Sequence, residues 1–317
     1  MKSYKLTLTL QSAFATPLKG DTLFGQLCWA IRNRLGEDAL TDCLAGYTSN
    51  QPFAVVSDAF PEGYYPLPKL PSCFYQLPEN PDRKAIKKQT WLPEVAVQQP
   101  IKQWLSQAVK AKDLVSENQL SKKQPQAHNT INRQTNTTGE GGFAPYSVEQ
   151  EWFEPSLRWS IYVLLDTERL SVEDCRQCLD DIGLFGFGKD ASIGLGKFII
   201  DDFQEYALPS QANANACLTL APCAPQGLGF DSQHSYYQLF TRFGRHGDIA
   251  VHQKGKPFKN PVLLAQTAAL FSTPPPKFGF IGQGIGGNGE LSKTLHATIH
   301  QGYAPVLAIN FNASKSS

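Results

Sequence analysis

The chain has 317 residues, enough for two ordinary domains, and its 41% hydrophobic share excludes a disordered polymer. Its 29 basic and 28 acidic residues leave a formal charge of +1, so no bulk positive field announces nucleic acid and any anion site must be local. Seven cysteines follow a start, "MKSYKLTLTL", that alternates instead of building an apolar signal core, and no apolar run approaches the roughly 18 residues of a membrane span; the expectation is a cytoplasmic protein with free thiols and no membrane contact.

In chain order, Tyr4, Leu6, Leu8 and Leu10 alternate with Lys5, Thr7 and Thr9, which predicts a strand with one buried face. From Asp21 as N-cap, Leu23, Phe24, Leu27, Cys28, Ile31 and Leu35 recur at helical spacing, and Gly36 is the stop signal. "FAVVSDAF" (53–60) reads as a second strand. A proline-rich stretch from Pro61 to Pro100 has no clear period, and behind it Ile101, Trp104, Leu105, Ala108 and Val109 share a helix face, with Pro100 suited to the first turn. From Lys112 to Gln150 the chain is polar and aperiodic, a long excursion from the fold.

"LRWSIYVLL" (157–165) is strongly β-prone. Ser171 with Asp174 resembles a capping box, Val172, Cys175, Leu179 and Ile182 follow, and Gly183 sits where a C-cap glycine belongs. "GFGKDASIGLGKF" (186–198) comes next, and "KFIIDDF" supplies a fourth strand. Strand, helix, strand, twice over, predicts an α+β chain with a ferredoxin-like domain at 1–205: a four-stranded antiparallel sheet, two helices on one face, and an insertion at about 61–150 between strands two and three. Over 206–317, "ACLTLAP", "YYQLFTRF", "DIAVHQ" and "APVLAINF" read as short strands, and "NPVLLAQTAALF" as helix or buried strand. "GFIGQGIGGNGE" (279–290) reads as a second glycine-rich turn. A second, degenerate, β-rich ferredoxin-like domain is the expectation there.

The loop at 186–198 is the chemical focus. Glycines let a phosphate approach the main chain, Lys189 and Lys197 add charge, and Ser192 adds a hydroxyl, so Gly188, Gly194 and Gly196 join them as candidate binding residues. The plain alternative is a turn with a bulge. Gly186, Gly188 and Ala191 satisfy G-x-G-x-x-A, but the order of strand and helix is the reverse of a dinucleotide site, and a P-loop fails because Ala191 and Phe198 stand at required positions. Lys19 and Gly20, at a helix start, suit either a phosphate or a plain cap. Cys175 and Cys178 lack a second ligand pair and read as buried helix cysteines. Asp180, Asp181, Asp201 and Asp202 read as solvated edges, and neither a metal nor a cofactor is expected.

Four blocks in order carry a resemblance: "KGDTLFGQLCWAI", "HNTINRQTNTTGEGGF", "FGFGKDASIGLGKF" and "GKPFKNPVLL…GFIGQGIGG…HQGYAPVLAI". Together they resemble the RAMP proteins of CRISPR-Cas effector complexes, most closely the Cas-five-like subunit of the type III-A form that caps the 5′ handle of the guide RNA. The resemblance implies two RRM-like RAMP domains, no catalysis, and a thumb from the insertion that displaces a base pair at the guide–target duplex. It implies the crRNA handle, target nucleic acid near that duplex, a backbone RAMP subunit and a large Cas-ten-type subunit as partners. His128, Asn129, Arg133 and Phe143 are then candidates for base contacts, Thr137 and Thr138 for the thumb tip, and Gly282, Gly284, Gly286 and Gly287 for a second RNA-facing loop. The competing reading is a metal-independent RAMP endoribonuclease that processes CRISPR precursor RNA with His128 as general base. A protein-only scaffold is the third.

Overall fold

The computed structural model describes residues 1–115, 119–139, 141–247 and 257–312. The opening alternation forms β1 (Lys2–Leu10), burying Tyr4, Leu6 and Leu8. In α1 (Gly20–Leu35) the buried stripe is Leu23, Phe24, Leu27 and Ile31, as the spacing predicts, and Gly36 ends the helix at φ 102°, where a side chain would be strained. The start differs from the expectation. Lys19 holds the cap position, and Asp21 lies buried inside the first turn because side chains from the far end of the sequence claim its carboxylate. A short α2 (Glu37–Leu44) follows.

The predicted second strand is two pieces, β2 (Ala54–Val56) and β3 (Phe60–Pro61), separated by Ser57, Asp58 and Ala59. The proline-rich stretch holds β4 (Tyr64–Pro66), α3 (Arg83–Ile86) and β5 (Gln89–Pro93). After it come α4 (Ile101–Gln107), capped at Pro100, and β6 (Val109–Lys110), so Val109 is a strand residue and not part of the helix face. β4, β5 and β6 form a three-stranded sheet packed on Tyr65, Leu92, Val97 and Trp104. Strands of two to five residues are too short to show a period, which is why this packed region reads as irregular. The polar excursion contains a long antiparallel hairpin, β7 (Ser121–His128) with β8 (Tyr146–Phe153), in register from Ser121↔Phe153 to His128↔Tyr146. Its side chains are mostly exposed, so no apolar alternation betrays it.

β9 (Arg158–Leu165) leads to α5 (Val172–Phe185), where the Ser171 hydroxyl accepts from the Asp174 amide as predicted. Gly183 is not the C-cap. A Cβ there would sit 2.3 Å from the Phe198 carbonyl oxygen, so the glycine lets helix and strand pack, and the helix ends at Gly186, φ 104°. β10 (Phe198–Glu205) completes an antiparallel sheet of order β10-β1-β9-β2, with β3 also on β9. Phe24 and Leu27 of α1 and Leu179 and Ile182 of α5 share its core with Leu6, Leu8, Ile161 and Val163.

The rest of the described chain is strands and turns: β11 (Ala216–Thr219), β12 (Asp231–Tyr236), β13 (Leu239–Arg242), β14 (Val262–Ala265), β15 (Leu270–Ser272), β16 (Phe280–Gly286) and β17 (Ile299–Ile309). Five make a sheet of order β12-β15-β11-β17-β16, and β13 pairs with β14. The ambiguous "NPVLLAQTAALF" is two strands broken at Ala268, φ 67°. The expected strand "DIAVHQ" lies outside the described residues. The expected second glycine turn is largely a strand: β16 pairs with β17 from Phe280↔Pro305 to Gly286↔Ile299. The two sheets are joined through buried polar contacts. The Gln301 amide side chain bonds both N and O of Val56, at 2.8 Å each, and the Tyr303 hydroxyl donates to the Tyr47 carbonyl at 2.7 Å.

Candidate nucleic-acid interface

The glycine loop is a folded platform more than a bare strand of backbone. Phe187 N donates to Gly196 O, Gly196 N to Ala13 O, Ile193 N and Leu195 N to Asp190 O, and Gly194 N to Ala191 O. Lys189 N donates to the Thr16 hydroxyl and Lys197 N to the Ser12 hydroxyl, both at 2.9 Å. These internal acceptors occupy most of the amides that the sequence reading offered to a phosphate. The glycines serve conformation and close approach: at Gly196, φ 74°, a Cβ would lie 2.1 Å from the Phe187 carbonyl oxygen, and at Gly188, φ 80°, 2.5 Å from Thr16 Cβ. Facing solvent are the Lys189, Ser192, Ile193 and Lys197 side chains. The loop's binding capacity therefore lies in its ammonium groups and the Ser192 hydroxyl.

Residues 11–16 tie this platform to the hairpin. Besides receiving the loop through Ser12, Ala13 and Thr16, the segment exchanges two backbone bonds between Phe14 and Glu151 of β8, at 2.9 and 2.8 Å. Phe14 lies 5.9 Å from the Phe153 ring and 6.5 Å from Phe187. One segment thus unites two features that are separate in the sequence, the loop and the polar excursion. At the far end of the hairpin Asn129, Arg133, Thr137 and Thr138 are exposed, around a turn in which Asn132 N donates to Thr137 O and Asn136 N to Asn132 O. Phe143 and Tyr146 are also exposed there. His128 differs: it is half-buried and stacks on Tyr146 at 5.2 Å with 16° between planes, its Nε2 unpartnered.

Lys19 and Gly20 do not form an open phosphate cradle, because the chain supplies its own anion. Asp58 accepts from Lys19 Nζ at 2.7 Å and from Gly20 N at 2.8 Å, and also takes the Thr267 hydroxyl. The Asp58 carboxylate raises the Lys19 ammonium above its ordinary value, against the opposing cost of desolvation. Nearby, Asp21 accepts a bidentate pair from Arg242 Nε and Nη2, at 2.7 and 3.0 Å, with His300 Nε2 at 3.4 Å. Burial alone pushes the Asp21 carboxyl up, but His300 and Arg242 together outweigh it and hold the group below its ordinary value. Sequence reading missed Asp58 and Arg242 because their partners lie 38 to 221 residues away.

The second glycine set is a packing device. A Cβ at Gly282 would meet Gly302 O at 2.1 Å, at Gly284 Tyr47 O at 2.6 Å, and at Gly286 Thr298 O at 2.3 Å, while Gly287 N donates to Thr298 O. Among the described residues no hydrogen bond links this segment to the loop at 186–197. Cys175 and Cys178 are buried in α5, and burial pushes the Cys178 thiol up to about 12. Asp181 is held by Arg34 and Asp201 by Thr9. Among the described residues no group of three or more His, Cys, Asp or Glu side chains is placed to hold a metal, and no helix is long and apolar enough to cross a membrane.

No family model and no curated protein matches the sequence. Solved structures do. The chain aligns over 98% of its length with 100% of a chain in the Csm3-Csm4 subcomplex of the type III-A CRISPR-Cas interference complex, at a TM-score of 0.60 and 13% identity. It aligns over 99% with 100% of a chain in the Csm1-Csm4 cassette in complex with pppApA, at 0.57 and 15% identity. The fold is that of Csm4. A Csm4 fold agrees with the RAMP resemblance carried by the four sequence blocks. It also fits the mixture seen here of many antiparallel strands and few helices.

Proposed function

We propose that this chain is a noncatalytic crRNA-binding subunit of a CRISPR-Cas effector complex, built from two ferredoxin-like RAMP domains. The observation that carries the reading is the bridge at residues 11–16, which joins a rigid, lysine-bearing loop to a long exposed hairpin in a chain of Csm4 fold. Lys189, Lys197 and Ser192 contact phosphates of the 5′ handle, and the β7–β8 hairpin acts as the thumb beside the guide–target duplex. The matched structures contain Csm1 and Csm3 beside Csm4, and the chain docks on counterparts of these, a Cas-ten-type subunit and a backbone RAMP subunit. The endoribonuclease alternative draws no support from His128, whose ring is stacked on Tyr146 and has no carboxylate bonded to it among the described residues.

The test is guide binding by the purified chain at several salt concentrations. Lys189→Glu with Lys197→Glu is expected to weaken binding and to lower the slope of log affinity against log salt by about 1.4, two single-strand phosphate contacts. Since both side chains are exposed, the melting temperature should not move. Unchanged affinity at every salt concentration removes the loop from the interface. Clean metal-independent cleavage of repeat RNA that is lost in His128→Ala overturns the noncatalytic assignment.

A further inference from the structure

A second concentration of positive charge lies away from the glycine loop. A cleft of about 1610 Å³ opens between the proline-rich insertion and the β12–β13 edge of the C-terminal strands. Lys69, Arg83, Lys87 and Trp91 line the insertion side, and Tyr236 and Tyr237 the other. Lys19 and Arg242 also reach it, and Asp58 is the sole carboxylate among the lining residues, so five cations face one acid in a chain of net charge +1. Asp58 is consumed by Lys19 and Arg242 by Asp21. Lys69, Arg83 and Lys87 have no ion-pair partner among the described residues, and Lys69 is held only by the Gln238 side chain at 3.2 Å. The positive charge left over is therefore concentrated on the insertion wall. Across from it, Tyr237 is 39% exposed and is backed by Phe230 and Phe271 at 5.9 and 5.1 Å, a ring fixed from behind with surface to spare.

The volume exceeds the roughly 300–1,000 Å³ of small-ligand pockets, which favours a polymer over a single metabolite. Unpaired cations and Trp91 along one wall, with Tyr236 and Tyr237 along the other, suit a ligand that repeats a charge and a flat ring at each unit. We propose that this cleft holds a single-stranded nucleic-acid segment, with phosphates on Lys69, Arg83 and Lys87 and bases against Trp91, Tyr236 and Tyr237. This deepens the RNA-binding reading above, on which it rests, and adds a site remote in sequence from the glycine loop. An acidic peptide would satisfy the cations but not the rings.

The experiment uses the full chain, a short fluorescent single-stranded RNA, anisotropy across a salt series, and ultraviolet crosslinking mapped by mass spectrometry. Arg83→Glu with Lys87→Glu, both on the surface, should weaken binding roughly tenfold or more and flatten the salt slope, while Lys277→Glu with Lys293→Glu leaves both unchanged. Crosslinks should fall on Trp91, Tyr236 or Tyr237. If the wild type binds RNA but the Arg83/Lys87 variant binds equally well at every salt, or crosslinks avoid the three rings, the cleft proposal fails while the RNA-binding reading stands. If the wild type binds no RNA, both fail. Binding of an acidic peptide in place of RNA would likewise overturn it.

Discussion

Replacing the Asp21 carboxylate by an amide removes the charge that Arg242 and His300 face in a buried site, and leaves the guanidinium without its bidentate partner. Asp21→Asn is therefore expected to cost about 3 kcal/mol, the low end for a broken buried pair because Arg242 is partly exposed. The pH dependence has a definite sign. Since folding holds the Asp21 carboxyl below its ordinary 3.8, its contribution is complete above that value and is lost as pH falls through the lower folded one. Denaturant midpoints of wild type and variant should thus differ most at neutral pH and converge in acid; a gap that widens on acidification contradicts the assignment. Glycines in the loop offer a second contrast at this scale. Gly194, φ 99°, has open space around its missing Cβ, so Gly194→Ala should cost only the roughly 1–2 kcal/mol of left-handed backbone. Gly196→Ala adds a collision with the Phe187 carbonyl and should cost clearly more, read as a larger fall in midpoint. Equal losses would mean that the loop is not locked as described.

At the scale of elements, legibility followed one-sided burial. β1, α1 and α5 each bury mainly one face, so period 2 or 3.6 was written into Tyr4–Leu10 and Leu23–Ile31, whereas β9 is buried on both faces and was legible from its run of branched and aromatic residues. β16 was misread because its glycines, which usually punctuate turns, are there to let a strand lie against Tyr47 and Thr298. Position and exposure of the loop lysines were legible, but the availability of its amides was not, since the acceptors at Ala13, Thr16 and Ser12 come from more than 170 residues away. The hairpin was legible only as polarity. Its β7–β8 ladder is anchored at the base by Phe14 and Glu151 and by the Ser121 hydroxyl on the Glu151 carboxylate, whereas its tip is held by short local turns. Deleting residues 134–142 should accordingly leave the melting temperature and guide loading near wild type while disturbing target pairing next to the handle. Loss of guide loading on that deletion would show that the tip holds the guide itself.

For the whole molecule, the connection between the two sheets is polar as well as apolar. Val56 sits at the edge of the first sheet, paired with Val163 of β9, and its remaining N and O are satisfied by the Gln301 amide from β17. Gln301 is fully buried, and so are Tyr47 and Tyr303, which lie beside it in the joint with the Tyr303 hydroxyl on the Tyr47 carbonyl. A leucine at 301 conserves much of the volume but offers no hydrogen bonds, so both backbone groups of Val56 are left buried and unpaired. Each such group costs about 1–3 kcal/mol, which puts Gln301→Leu on the order of 2–6 kcal/mol less stable. The loss should be uneven. The first sheet keeps its own helices and core, while the C-terminal strands, with no helix among their described residues, depend more on the joint and lose one of their ties to it. Wild type should therefore melt in one transition by circular dichroism and by tryptophan fluorescence, all five tryptophans lying at or before residue 159. In Gln301→Leu the dichroism should depart first and the fluorescence later. Coincident transitions at the wild-type midpoint would mean that the remaining contacts couple the sheets fully and that the amide bridge contributes nothing measurable.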